Sequence, residues 1–131
     1  MNSMACIALA IYFEARGESN LGQWAVGRVV FNRMSDPRYP SDACSVVKQG
    51  PWFSGLPVRH KCQFSFYCDG RPEKVVDMSS WRRALRMARL SQDLDVVGGA
   101  THYHGLQVSP SWSSSMRVTR VIGNHIFYST E

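Results

Sequence analysis

The ten residues AIYFEARGES, Ala10 to Ser19, place one carboxylate, Glu14, inside an apolar run and a second, Glu18, four positions further on. Ala10, Ile11, Tyr12, Phe13 and Ala15 suit burial. With the residues from Met4 onward they read as one helix of good formers, reaching about Arg16 and stopped by Gly17 as a C-cap. Glu14 then falls in the last turn, near the negative end of the helix dipole and among apolar neighbours. Both surroundings disfavour the carboxylate and raise its pKa. A proton held near neutral pH is what a general acid needs in order to protonate a poor leaving group such as a glycosidic oxygen. The competing reading is an amphipathic helix whose Glu14 faces water or pairs with Arg16, Arg28 or Arg33.

Glycosidases commonly use two carboxyl groups at a defined separation, one as acid and one as nucleophile or base. A helix continuous through Gly17 would put Glu14 and Glu18 on one face. Because Gly17 ends the helix, Glu18 instead turns back to a supporting partner or an N-terminal amide. Asp69, in FYCDG, is the other candidate carboxylate, and an Asp-Gly turn with local backbone bonding competes for it.

Working outward, Ser19 or Asn20 caps a second helix through Met34, with Leu21, Trp24, Ala25, Val29 and Phe31 or Met34 at helical spacing. Gly22 and Gly27 in it allow close approach of a neighbour. SDPRYPSD breaks the pattern, a third short helix spans 43 to 49, and GPWFSGLPVRHK reads as loop. CQFSFYCDG alternates Phe64, Phe66 and Cys68 to one side, as in a short strand or extended edge. Ser79 or Ser80 opens a helix from Trp81 to about Leu90. VVGGATHYHGLQVSPSW is irregular or weakly β, followed by a serine run and the closing RVIGNHIFY. The sum is one domain, residues 1–131, of mainly helical α+β class with a lysozyme-like character.

Hydrophobic residues at 44% and charged residues at 19% are ordinary globular usage, so neither disorder nor a membrane span is indicated. Fifteen Lys and Arg against ten Asp and Glu give a formal charge of +5, which favours an anionic partner: nucleic acid, anionic lipid or bacterial wall. No recognition-helix pattern or RNA-binding aromatic motif accompanies the charge, which argues against nucleic acid. The one cluster of basic residues, Arg82, Arg83, Arg86 and Arg89, reads as a solvated helix face. The spacing of Cys6, Cys44, Cys62 and Cys68 fits no zinc pattern. Cys6 is expected to pack as a small hydrophobe. The thiols are expected to stay reduced, with a bridge among Cys44, Cys62 and Cys68 open to the chain in an oxidising space.

A further constellation is Thr101, His102, Tyr103 and His104, joined by His125. On a strand His102 and His104 share a face, which suits either a polar groove that hydrogen-bonds a sugar or the start of a zinc site with His125. No HExxH helix accompanies them, and neither a metal nor a cofactor is expected. Of the aromatic residues Trp52, Phe64, Phe66, Trp112, Phe127 and Tyr128, most belong to a core, and an exposed one or two would suit pyranose stacking.

AIYFEARGES, GQWAVGRVVFNRM, then Tyr39, Pro40 and Cys44, QFSFYCDG, Trp81 and Ala84, GATHYH, SPSW and IGNHIFY together resemble, in order and over essentially the whole chain, the SleB/CwlJ-type cell wall hydrolases. That family is similar in catalytic fold to soluble lytic transglycosylases and goose-type lysozymes, and cleaves the MurNAc to GlcNAc bond of peptidoglycan. The resemblance implies that Glu14 is the catalytic acid. It also implies that one carboxyl group suffices, because the MurNAc 6-hydroxyl attacks C1 in place of water and leaves a 1,6-anhydro ring. Thr101, Tyr103 and the backbone near Gly99 are the expected dipoles around the charged transition state. Gln63, Phe64, Ser65, Asp69, His102, His104 and His125 are the expected binding or supporting residues. A muramidase in which Glu18 holds the attacking water is the alternative.

No basic n-region or cleavage site precedes the motif, so the reading is a monomer made in a host cytoplasm without a signal peptide and acting on the cell wall. A basic catalytic domain of that kind is similar to a phage endolysin. A catalytic domain excised from a longer exported protein is the other possibility.

Overall fold

Helix α1, Ser3–Ala15, starts at Asn2, whose side-chain oxygen accepts from the Ala5 N–H. The computed structural model describes residues 2–130, with Trp52 and Phe53 described by backbone alone, so the ring of Trp52 lies outside the described residues. Cys6, Ile7, Ala8, Ala10, Ile11, Tyr12 and Ala15 are all buried, covering most of the circumference of α1. A helix apolar nearly all round belongs at the centre of a domain, and α1 packs against α2 (Asn20–Met34), α3 (Ala43–Val47) and α4 (Met78–Asp93). Ser19 caps α2 as expected, its hydroxyl accepting from Gly22. At Gly27 a Cβ would lie 2.7 Å from Ser91 Oγ and 3.1 Å from Ile11 Cδ1, so only glycine lets α2 approach both neighbours so closely.

Helix α4 begins three residues before the expected Trp81 because Asp77, not Ser79 or Ser80, is the cap and accepts from Ser80 N–H. Its inner face carries Ala84, Met87, Ala88 and Ser91. Arg82, Arg86 and Arg89 lie on the solvent side as expected, while Arg83 turns inward. Among the described residues no helix is long and apolar enough to cross a membrane.

The cysteines depart from the expectation of reduced thiols. Cys6 is bridged to Cys44, joining α1 to α3 with Cα atoms 5.1 Å apart, and Cys62 is bridged to Cys68. Cys6 is buried, but against another sulfur. The second bridge explains why residues 64 to 68 are not a strand. Six residues of extended chain would span roughly 20 Å, and the bridge holds the two Cα atoms at 6.1 Å. Ser65–Cys68 accordingly winds into a 3-10 turn. The segment expected as loop before it contains a small hairpin, β1 (Trp52–Phe53) and β2 (Leu56–Pro57), turned by Ser54 and Gly55 at φ 54 and 80.

The C-terminal third forms an antiparallel sheet of β3 (His102–Gly105), β4 (Arg117–Ile122) and β5 (His125–Ser129), in the order β3-β5-β4. Tyr103 pairs with Phe127 and Gly105 with His125, so Tyr103, His125 and Phe127 share one face. His102, His104 and Tyr128 share the other, beneath Trp112 from the 3-10 turn Ser111–Ser115.

Candidate active site

Glu14 is placed by the last turn of α1, and its polar neighbours come from the middle and the C-terminal third of the chain. Its Oε1 accepts a hydrogen bond from the Tyr103 hydroxyl of β3 at 3.2 Å. None of the arginines offered as ion-pair partners reaches it. Arg16 donates to the Tyr12 hydroxyl, Arg28 to Asn32 and to the carbonyls of Ser91 and Gln92, and Arg33 to the Thr101 carbonyl. Burial pushes the Glu14 carboxyl above the ordinary range and the negative charge of Asp69 adds to this. Hydrogen bonds from Tyr103 and Ser65 pull in the opposite direction.

Gly17 does not take the left-handed C-cap conformation expected of it. The end of α1 is held instead by side chains. Gln23, 1% exposed, donates through Nε2 to the carbonyls of Ala15 and Arg16. Arg83 donates to the carbonyls of Arg16 and Glu18 and to Asn20 Oδ1. These donors satisfy carbonyls that a helix terminus leaves free, and they fix the backbone carrying Glu14. The sequence reading missed both. A glutamine among buried positions of α2 was the available signal for Gln23; nothing local marks Arg83.

Glu18 occupies a supporting position. Its two oxygens accept from the backbone N–H and the Nδ2 of Asn124, each at 3.1 Å, in the turn between β4 and β5. Gly123 is required there, since a Cβ would stand 2.5 Å from Glu18 Oε1. His125 Nδ1 is 3.8 Å from the same oxygen.

Two clefts meet at Glu14. The larger, about 360 Å³, has Arg33, Gln63, Phe64, Tyr103, His125 and the His102–His104–Trp112 group in its walls. The smaller, about 330 Å³, runs past Phe13, Ser65, Asp69 and Arg71. Of the expected residues Gln63, Phe64, Ser65, Asp69, His102, Tyr103, His104 and His125 therefore all reach one cleft or the other, and Glu18 and Thr101 reach neither. Asp69 also makes the local turn bond, accepting from Arg71 N–H.

The expected ring of dipoles is reduced to one member. The N–H of Gly99 is spent on Asp95, Thr101 is buried with its hydroxyl against His102 Nδ1, and Tyr103 alone touches Glu14. His104 is held between the Tyr128 hydroxyl at 2.6 Å and the Gly105 carbonyl at 2.7 Å. Burial lowers the pKa of His102 and of His125, favouring neutral rings. Among the described residues no three His, Cys, Asp or Glu side chains are grouped to hold a metal ion. Trp112 is only partly buried in the larger cleft wall, which makes it the ring suited to a sugar face.

Comparison with known proteins identifies the family and the fold of the chain. The cell wall hydrolase family model matches residues 17–128. A spore cortex-lytic enzyme of Halalkalibacterium halodurans is 35% identical over 127 residues, covering 96% of this chain and 34% of that protein. A spore cortex-lytic enzyme of Bacillus cereus is 26% identical, over 96% of this chain and 44% of its own length. The chain thus spans less than half the length of either. The catalytic domain of the Bacillus cereus SleB protein superposes with a TM-score of 0.73 at 25% identity, over 98% of this chain and 90% of that one. The catalytic domain of the germination-specific lytic transglycosylase SleB from Bacillus anthracis gives 0.74 at 25%, over 98% and 95%. The mainly helical α+β domain with a small antiparallel sheet is the fold of those domains.

Proposed function

The chain belongs to the cell wall hydrolase family, and from that membership and the geometry at Glu14 we propose that it cleaves the MurNAc to GlcNAc bond of peptidoglycan as a lytic transglycosylase. The matched family residues begin just after Glu14, so the role of that side chain rests on its surroundings. The observation that carries the reading is a division of labour between carboxylates: Glu14 stands where two clefts meet, while Glu18 is tied to Asn124.

A glycan strand lying across both clefts presents its scissile oxygen to Glu14. The raised pKa favours the protonated form, the one that donates to that oxygen as the C1–O bond breaks. The resulting carboxylate is stabilised by the Tyr103 hydroxyl and takes the proton of the MurNAc 6-hydroxyl as that oxygen bonds to C1. The 6-hydroxyl is tethered to the reacting ring, so its effective concentration is high and no second carboxylate is needed to activate water.

Mass spectrometry of muropeptides released from purified sacculi tests this. The expected products are 1,6-anhydro muropeptides, lighter by one water than hydrolysis products. Glu14→Gln, folded by circular dichroism, should slow release by on the order of a hundredfold or more. Dominant reducing-end MurNAc, lost in Glu18→Gln, would establish the muramidase alternative. The names of the relatives favour the spore cortex as the setting over the phage endolysin expected from the sequence, and clearance of decoated spores against vegetative walls separates the two.

A further inference from the structure

Arg33, in the last turn of α2, is 5% exposed and yet contributes to the wall of the larger cleft. Its Nε donates to the Thr101 carbonyl at 2.7 Å. Among the described residues its side chain makes no other hydrogen bond: Nη1 is buried without a partner, and no acid lies within ion-pair distance. The rings of Tyr39 and Phe64, with centroids 5.0 and 5.4 Å from the guanidinium carbon, support it without neutralising it. Burial lowers its pKa, but a guanidinium is basic enough to keep its charge in a protein.

A buried charge left without a counterion is costly, and removing one partner of a buried pair is strongly destabilising for that reason. Tyr39 and Tyr103 offset the effect of burial only in part, and no carboxylate is among the groups acting on Arg33. Burial lowers the pKa of His102 and the charges of Arg33 and Arg38 lower it further, while Asp36, which acts in the opposite direction, is held by Arg38. The missing counterion is therefore to be sought in the occupant of the cleft.

We propose that Arg33 is a carboxylate-binding subsite of the cleft, engaging a carboxylate carried by the muramic acid unit bound beside Glu14 through the guanidinium edge that Thr101 leaves unpaired. The inference rests on the peptidoglycan reading above and adds a determinant of register to it. GlcNAc has no carboxylate, whereas muramic acid carries one on its lactyl arm when the peptide is absent and on the peptide stem when it is present. A guanidinium that selects the carboxylate places muramic acid, and not GlcNAc, in the larger cleft. It thereby decides which of the two alternating glycosidic bonds faces Glu14.

The experiment follows the Arg33 Nε–H resonance of 15N-labelled wild-type protein during separate titrations with N-acetylmuramic acid, muramyl dipeptide and N-acetylglucosamine. A saturable shift with N-acetylmuramic acid identifies the lactyl carboxylate, and a shift with muramyl dipeptide alone identifies the stem. An equal response to N-acetylglucosamine, or none to any of the three at millimolar concentration, overturns the subsite. A second arm compares KM on soluble glycan bearing free carboxylates with KM on the same glycan after amidation. The wild type should prefer the free acid by roughly tenfold or more, as expected of hydrogen bonds to a charged group. Arg33→Gln should lose that preference and Arg33→Lys should keep part of it. Equal KM values in a wild type that cleaves both glycans overturn the subsite and leave the proposed activity standing. Probe binding at Arg33 in a wild type that cleaves neither overturns the activity and leaves the carboxylate site.

Discussion

At the scale of single residues the proposed chemistry turns on where the proton of Glu14 sits. Burial raises its pKa, Asp69 raises it further, and Tyr103 and Ser65 lower it, so each neighbour can be removed with a known sign. The alkaline limb of the rate profile should lie above the ordinary carboxyl range. Tyr103→Phe, which deletes a donor to the anion, should move that limb to higher pH, and Asp69→Asn should move it lower. A limb that ignores both substitutions belongs to some other group. The same shift acts on stability. Because the folded-state pKa is raised, the favourable contribution of Glu14 is complete below the unfolded carboxyl pKa and is lost as pH rises through the folded value. Glu14→Gln has no charge to bury, so it should melt above the wild type at pH 7 to 8, the gap closing toward pH 4; calorimetry reads this directly. The apolar run around Glu14 made its burial and raised pKa legible from sequence. The partner of Glu18 was not legible, since Asn124 is 106 residues away and reads as an ordinary turn residue.

At the scale of elements, α1, α2 and α4 were legible because caps and apolar spacing are local, and the cap of α4 was misplaced only because Asp77, Ser79 and Ser80 all suit that position. Residues 64 to 68 were misread because their period-two pattern is also local, whereas the bridge that overrides it joins two cysteines whose pairing spacing does not specify. The two bridges should have separable consequences. Cys6–Cys44 closes a segment of 38 residues, for which the chain-entropy account gives about 4 kcal/mol. Cys62–Cys68 closes six, worth about 2 kcal/mol, but that short loop carries Gln63, Phe64 and Ser65 into the clefts. Replacing Cys6 and Cys44 by serine should therefore lower the denaturation midpoint more, and replacing Cys62 and Cys68 should raise KM more. Urea titration and steady-state kinetics on the two double variants decide it, and loss of activity in proportion to stability in both would remove the special role of the short loop.

At the scale of the whole molecule the candidate site is assembled from distant stretches of the chain, the contact between Glu14 and Tyr103 spanning 89 positions. That is why the sequence alone yields both residues but not the cleft between them. Charge is distributed differently from chemistry. Arg82, Arg86 and Arg89 lie on the solvent side of α4, line neither cleft, and make no hydrogen bond or ion pair among the described residues. They are three of the fifteen Lys and Arg, so glutamine at all three positions lowers the formal net charge from +5 to +2. Attraction between exposed charges weakens as the Debye length contracts from roughly 10 Å at 0.1 M salt to 3 Å at 1 M. If this stripe holds the enzyme on an anionic wall, wild-type binding to sacculi should fall steeply over that range. The triple glutamine variant should bind weakly at low salt and respond little to more. Turnover on a soluble, uncharged glycan fragment should be the same for both proteins and nearly flat with salt, because the arginines act on encounter with the wall and not on Glu14. A fall in soluble turnover matching the fall in sacculus binding would mean that the stripe reaches the reaction itself, and would assign the basic surface to catalysis instead of attachment.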